Sequence, residues 1–237
     1  MAVGLLRKVL TWVLTAACAV GIAYSLFGLG FLACTTSQAT AAIGGTFSGW
    51  EHSTFSKENM AQIAEEVRSF SIDGASTEAL FSDIQDAAQE SNVAESLKSS
   101  ERYTLPENAL SHLSDCTPIF TTGRISVGVV GGFSLAGLVA LLILAGRKRV
   151  GRTIIAGASL VGALLLLLGL WAIVDFNGLF TWMHTMLFAQ GNWTFSSTSL
   201  LIQLFPEAFW AAMAALWVVT SLVCTAIAGI VGRIIAL

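Results

Sequence analysis

Four stretches of the chain, each longer than 20 residues, carry no charged side chain: Val9–Ala33, Ile125–Gly146, Thr153–Val174 and Ala208–Gly232. A helix needs about 20 apolar residues at 1.5 Å each to cross the hydrocarbon of a bilayer, so every one of these runs is long enough. The first exceeds the 7–15 apolar residues of a secretory signal and reads as a retained helix. Composition agrees: charged residues make up 11% of the chain, under half of what a soluble domain carries. A cytosolic enzyme, a nucleic-acid-binding protein and a disordered chain are excluded at this point.

The placement of charge orients the spans. Arg7 and Lys8 precede the first run, Arg147, Lys148, Arg149 and Arg152 lie between the second and third, and Arg233 follows the fourth. If all four runs cross, these seven residues share one side, which the positive-inside bias makes cytoplasmic. Both termini are then inside. The other side holds residues 34–124, with 13 of the 15 acidic residues against five basic ones. The predicted organisation is an N-terminus and first span over 1–33, an extracytoplasmic helical domain over 34–124, and a second span over 125–146. A basic cytoplasmic link over 147–152, a third span over 153–174, an interfacial or re-entrant segment over 175–206 and a fourth span with the C-terminus over 207–237 complete it. The fold class is all-α.

Within the large outer segment, Met60, Ile63, Ala64, Val67 and Phe70 recur at helical spacing between Ser56, an N-cap, and the Asp73-Gly74 turn. Leu80, Phe81, Ile84, Ala87 and Ala88 form a second apolar stripe. Thr104 and Glu107 have capping-box spacing around Pro106, predicting a third helix that runs to about Cys116 and stops before Pro118. The segment 176–206 has no charged residue, yet its Asn, Gly and Ser residues break it too often to span. Its crowded aromatic rings suit the headgroup level, as an interfacial helix and loop or simply as an anchor.

Few residues here can do chemistry. The chain has three histidines, His52, His112 and His184. The predicted topology places His112 and His184 on the outer side near the headgroups, where they can form an acid–base pair or serve only in packing. His52, in a loop beside Trp50, reads as structural. No HExxH, paired CxxC or phosphate-binding glycine loop is present. His112 and Asp115 share a helix face, but two ligands do not make a metal site, and no metal is expected. Asp175 reads as a cap for the helix that follows it. Cys34 and Cys116 fall on the outer side, where two thiols can bridge or remain small apolar residues.

Two strings resemble the signature of the lipoprotein intramolecular transacylase (Lit) family, four-span bacterial membrane proteins. One is Tyr103-Thr-Leu-Pro-Glu-Asn-Ala-Leu-Ser-His112-Leu-Ser-Asp115, similar to the family's run ending in His-Leu-x-Asp before its second span. The other is Phe180-Thr-Trp-Met-His184 continuing to Asn192-Trp193-Thr-Phe195, followed by Leu201-Ile202 and Pro206-Glu-Ala-Phe-Trp210. Ser196–Ser199 stands where relatives tend to have acidic residues. The resemblance implies transfer of the sn-2 acyl chain of a diacylglyceryl group to the N-terminal cysteine amine of the same lipoprotein, giving the lyso-form. It implies His112 and His184 as the catalytic pair, with Asp115 orienting a histidine. Asn192 would stabilise an oxyanion, and Tyr103 and Trp193 would position substrate. No cofactor is implied; the partners are diacylglyceryl-modified lipoproteins and membrane lipid, at the outer leaflet of the cell membrane. The rival reading is a non-enzymatic sensor or assembly factor whose acidic outer domain binds a partner.

Overall fold

The computed structural model describes residues 2–237. Its helices are α1 (Ala2–Cys34), α2 (Ser37–Phe47), α3 (Lys57–Arg68), α4 (Glu78–Glu90), α5 (Glu107–Ala145), α6 (Arg147–Leu187), α7 (Leu200–Leu204) and α8 (Glu207–Ala236). Among the described residues there is no strand, and α1, α5, α6 and α8 are long and apolar enough to cross a membrane. The chain is therefore an all-helical, four-span protein. It divides into two compact units, one of residues 1–33, 123–174 and 216–237, the other of residues 34–122 and 175–215.

The first unit is the membrane bundle. Lipid tails are as apolar as leucine, so close packing and hydrogen bonds, not hydrophobic burial, hold such helices together. A Cβ on Gly151 of α6 would come within 2.4 Å of the Gly232 carbonyl oxygen of α8, so the two backbones meet where both lack a side chain. Trp217 Nε1 of α8 donates to the Phe27 carbonyl of α1 at 2.8 Å, and Ser221 Oγ donates to the same oxygen at 3.3 Å. Leu166, Leu167 and Ile173 face outwards, as a lipid-facing surface requires.

The basic link is narrower than the charge pattern predicts. Arg147–Arg152 forms the start of α6, and the turn shrinks to Gly146, whose φ of +76° is the left-handed conformation that glycine adopts without a Cβ penalty. Arg7 Nη2 donates to the Leu144 carbonyl at 2.6 Å, capping the end of α5, and the Arg149 guanidinium lies 4.5 Å from the centre of the Trp12 ring.

The second unit has a conventional core. Met60, Ile63, Ala64 and Val67 of α3, Leu80, Ile84, Ala87 and Ala88 of α4, Ala109 and Leu113 of α5, and the α7 leucines are buried together. Each large side chain among them contributes about 1.5–3 kcal/mol of burial. Ser56 Oγ accepts from Asn59 N at 3.1 Å and starts α3. Gly74, at φ +71°, ends the π turn Ser69–Asp73 that follows α3.

One local expectation differs. The helix carrying His112 begins at Glu107, immediately after Pro106, and does not stop before Pro118; α5 runs through that proline to Ala145. A proline inside a helix costs one hydrogen bond and a clash, about 3 kcal/mol. The apolar run beyond it has no alternative to helical backbone pairing in lipid, so the helix continues. The four cysteines are all thiols, so Cys34 and Cys116 are not bridged: Cys34 Sγ donates to the Met213 carbonyl at 3.3 Å, while Cys116 lies beside His112.

Candidate active site

Three segments of the second unit build the site. The first three turns of α5 carry His112 and Asp115. The second is the end of α6. Asp175, with φ −155° and ψ 78°, interrupts that helix, and its Oδ1 accepts from Gly178 N at 2.8 Å. This is an N-cap within a continuous run, and it restarts the helix that carries His184. The third segment is the loop 188–199, turned at Gly191 (φ +77°). Ser199 ends it by capping α7, its Oγ accepting from Ile202 N at 3.4 Å.

His112 and His184 are both buried, 8% exposed each, and their ring centroids are 6.1 Å apart. Phe188 stands against both rings, edge-on to His112 at 4.5 Å and 5.7 Å from His184. Phe195 lies 5.7 Å from His112, Phe180 4.0 Å from His184 and Trp193 5.2 Å from His184. The crowded rings of the 176–206 segment thus wall the two imidazoles as well as supplying an apolar surface.

This apolar wall decides their charge. Burial lowers the proton affinity of His112, the neighbouring His184 lowers it further, and Asp115 and Asn192 raise it only in part; the result is a pKa of about 4. His184 is also lowered, by burial, against a smaller upward effect of the Phe180 carbonyl. Both imidazoles are neutral at pH 7. His184 Nδ1 lies 2.9 Å from the Phe180 carbonyl oxygen, which can only accept, so Nδ1 carries the proton and Nε2 keeps its lone pair. Beside His112 Nε2, at 4.0 Å, is the Cys116 thiol. Burial, with the charge of Asp115, pushes that thiol up to about 12, so it is a neutral, weak partner and not a thiolate nucleophile.

Asp115 does not receive a bond from the His112 ring. Its Oδ2 accepts from Asn192 Nδ2 and from Gln190 Nε2, each at 2.8 Å. Asn192 Nδ2 also donates to Ser111 Oγ at 3.3 Å. The carboxamide nitrogen of Asn192 is therefore committed to Asp115 and Ser111, and the group left over is a carbonyl oxygen, which cannot stabilise an oxyanion. Gln190 was not singled out from the sequence, although it stands one glycine from Asn192 in the same turn.

The structure brings together His112, His184, Asp115, Asn192 and Trp193. It places Tyr103 in the helical core, against Phe55 with ring centroids 6.0 Å apart and with its hydroxyl 3.3 Å from Thr54 Oγ1. His52 is exposed in the short turn Trp50–His52.

The fold described here has known counterparts. The family model for lipoprotein intramolecular transacylase Lit matches residues 55–210. The in meso structure of the membrane integral Lit from Bacillus cereus aligns with a TM-score of 0.76 and 16% identity, covering 96% of each chain. A histidine-to-arginine variant of that protein aligns at 0.72 and 15% identity, over 97% of this chain and 93% of the other. A search of curated protein sequences finds no match. At these identities the structural likeness establishes the fold, and the family match, which covers about two thirds of the residues, establishes kinship: the chain belongs to the lipoprotein intramolecular transacylase family.

Proposed function

We propose that the chain moves the sn-2 acyl chain of a lipoprotein's diacylglyceryl group onto the α-amine of the same molecule's N-terminal cysteine, with His112 and His184 as the acid–base pair. The observation that carries this reading is the pair itself: two buried imidazoles, 6.1 Å apart by centroid, walled by aromatic rings.

The neutral amine attacks the ester carbonyl carbon, and the new C–N bond makes the nitrogen strongly acidic. One imidazole of the pair accepts that proton, and the Nε2 lone pair of His184 supports such a role. As the C–O bond to glycerol breaks, the departing oxygen takes a proton from the imidazolium. The balance is one amide formed, one ester consumed and one hydroxyl released, with no net proton change and no external energy source. An imidazole whose pKa is depressed gives up its proton readily, which suits a shuttle that must not stay charged. Amine and ester belong to one molecule, so holding them in contact supplies a large part of the acceleration as effective molarity. Trp193 and Phe188 border the space in which that contact would be made.

The distribution of basic residues supports both termini on the cytoplasmic side and the site at the outer leaflet, where diacylglyceryl-modified lipoproteins are held. The test is incubation of the purified protein with a synthetic diacylglyceryl lipopeptide, followed by fragmentation mass spectrometry. The expected product has the mass of the substrate, with an acyl group on the N-terminal nitrogen and a free sn-2 hydroxyl. Release of free fatty acid with the amine unmodified would make the protein a lipid esterase instead.

A further inference from the structure

Two atoms of the site are buried without a hydrogen bond: His112 Nδ1 and Asn192 Oδ1. Unmade bonds on buried polar atoms are costly, on the order of 1–3 kcal/mol each, and two in one site call for a reason. They belong to neighbouring groups, because Asn192 bonds to Ser111 and Asp115, which flank His112 on its helix, and because the Asn192 carboxamide acts on the His112 ring. They are also complementary, one a ring nitrogen able to donate and the other a carbonyl oxygen able to accept.

A carboxamide has two ends that differ only in chemistry, and Asp115 decides which end faces where. A carboxylate accepts and cannot donate, so the asparagine must turn its nitrogen to Asp115 and its oxygen away from it. We propose that Asp115 sets the tautomer of His112 through Asn192: the carboxylate fixes the asparagine's orientation, and the dipole of the asparagine carbonyl, without a formed hydrogen bond, favours the proton on His112 Nδ1 and leaves the lone pair on Nε2. Asp115 and Asn192 are then positioning residues, and Gln190 braces the carboxylate from its second side.

This deepens the reading of the site as a transacylase centre and rests on it. His184 already shows its Nε2 lone pair, so both imidazoles present acceptors to the substrate. A substrate arriving as a neutral amine has two N–H donors and meets two acceptors. Neither ring holds a proton on Nε2 at the outset, so the proton that ends on the glycerol oxygen is one removed from the amine.

The tautomer can be read directly. The full-length protein labelled with 15N-histidine, in lipid or detergent at pH 7.5, gives long-range proton–nitrogen spectra that distinguish Nδ1–H from Nε2–H. The His112 signals are assigned by their loss in His112→Gln. The wild type is expected to show His112 as Nδ1–H. Asp115→Ala frees Asn192 to turn over and is expected to shift His112 towards Nε2–H. Its turnover should fall on the order of 100-fold, with KM little changed, since a histidine in the wrong tautomer loses its function as a base. Asp115→Asn offers Asn192 either end of its own carboxamide, so it too is expected to shift His112 towards Nε2–H and to lower turnover, less far than Asp115→Ala. Should Asp115→Ala fail to fold, Asn192→Ala tests the same link and should also release the Nδ1 proton. An Nε2–H tautomer in the wild type, or a tautomer unmoved in both alanine variants, would overturn the proposal. The spectra do not depend on transfer activity, so a failure of the transacylase reading leaves them to be judged separately.

Discussion

Replacing either His112 or His184 by Ala removes acyl transfer while the protein still folds and inserts. The expected loss in turnover is roughly 10²–10⁴-fold for each single variant, the range for a positioned acid–base group. Both rings lie in one aromatic-walled site, so they act as a unit. The double variant should lose little more than the poorer single variant, because residues that work together are not additive. His52→Ala should retain full activity, since that side chain is exposed in a separate turn. Initial rates on a diacylglyceryl lipopeptide, with circular dichroism and monodispersity as folding controls, decide the matter. Substantial activity in both single variants would remove the dyad from the mechanism.

The pH dependence carries the second large effect. Two groups must be neutral for reaction: the substrate's α-amine, with an ordinary pKa near 7.7–8.0, and the histidine that receives its proton. An ordinary histidine would begin to protonate near 6.5, but burial and the neighbouring His184 hold His112 at about 4, and burial lowers His184 in the same direction. Falling pH therefore protonates the amine first and leaves His112 neutral well past 6.5. The plot of log kcat/KM against pH should rise with a slope of one from pH 5.5 to 7.5, then level off. With an amine pKa near 7.8 that is a change of about 70-fold over two pH units, and a histidine of ordinary pKa would add roughly tenfold to it. A second break near 6.5 would show that the imidazoles are not held neutral by their surroundings.

How much of this was legible in the sequence depends on the distance over which each feature is set. The four spans were, because an uncharged run of more than 20 residues has few places to go but the bilayer. The stripes Met60–Val67 and Leu80–Ala88 were also legible, as helical period marks a buried face whatever it packs against. Ser56, Asp175 and the Asp73-Gly74 turn acted as local punctuation and did so where expected.

Features set by distant partners were not legible. The i, i+3 spacing of His112 and Asp115 puts them on one helix face, but the carboxylate binds Asn192 and Gln190, some 75 positions along the chain, through a turn that needs Gly191 at positive φ. The resemblance marked Asn192 as an oxyanion donor. Only the structure shows its nitrogen already committed to Asp115 and Ser111. Pro118 carries a strong local signal to stop a helix, and the pairing demand of the apolar run beyond it prevailed. Tyr103 lies within a family-like string and packs, half-buried, against the helical core.

The central claim is that the site joins an amine and an ester of one molecule, and a crossover measurement tests it most directly. Two diacylglyceryl lipopeptides are mixed in equal amounts with the purified protein, one with a heavy-isotope peptide and a light sn-2 acyl chain, the other with the labels reversed. The products are then fragmented in a mass spectrometer. The account predicts that every N-acyl peptide keeps its original partner, heavy peptide with light acyl and light peptide with heavy acyl. Scrambled pairs in statistical proportion would contradict it, because the acyl chain would then have passed between molecules.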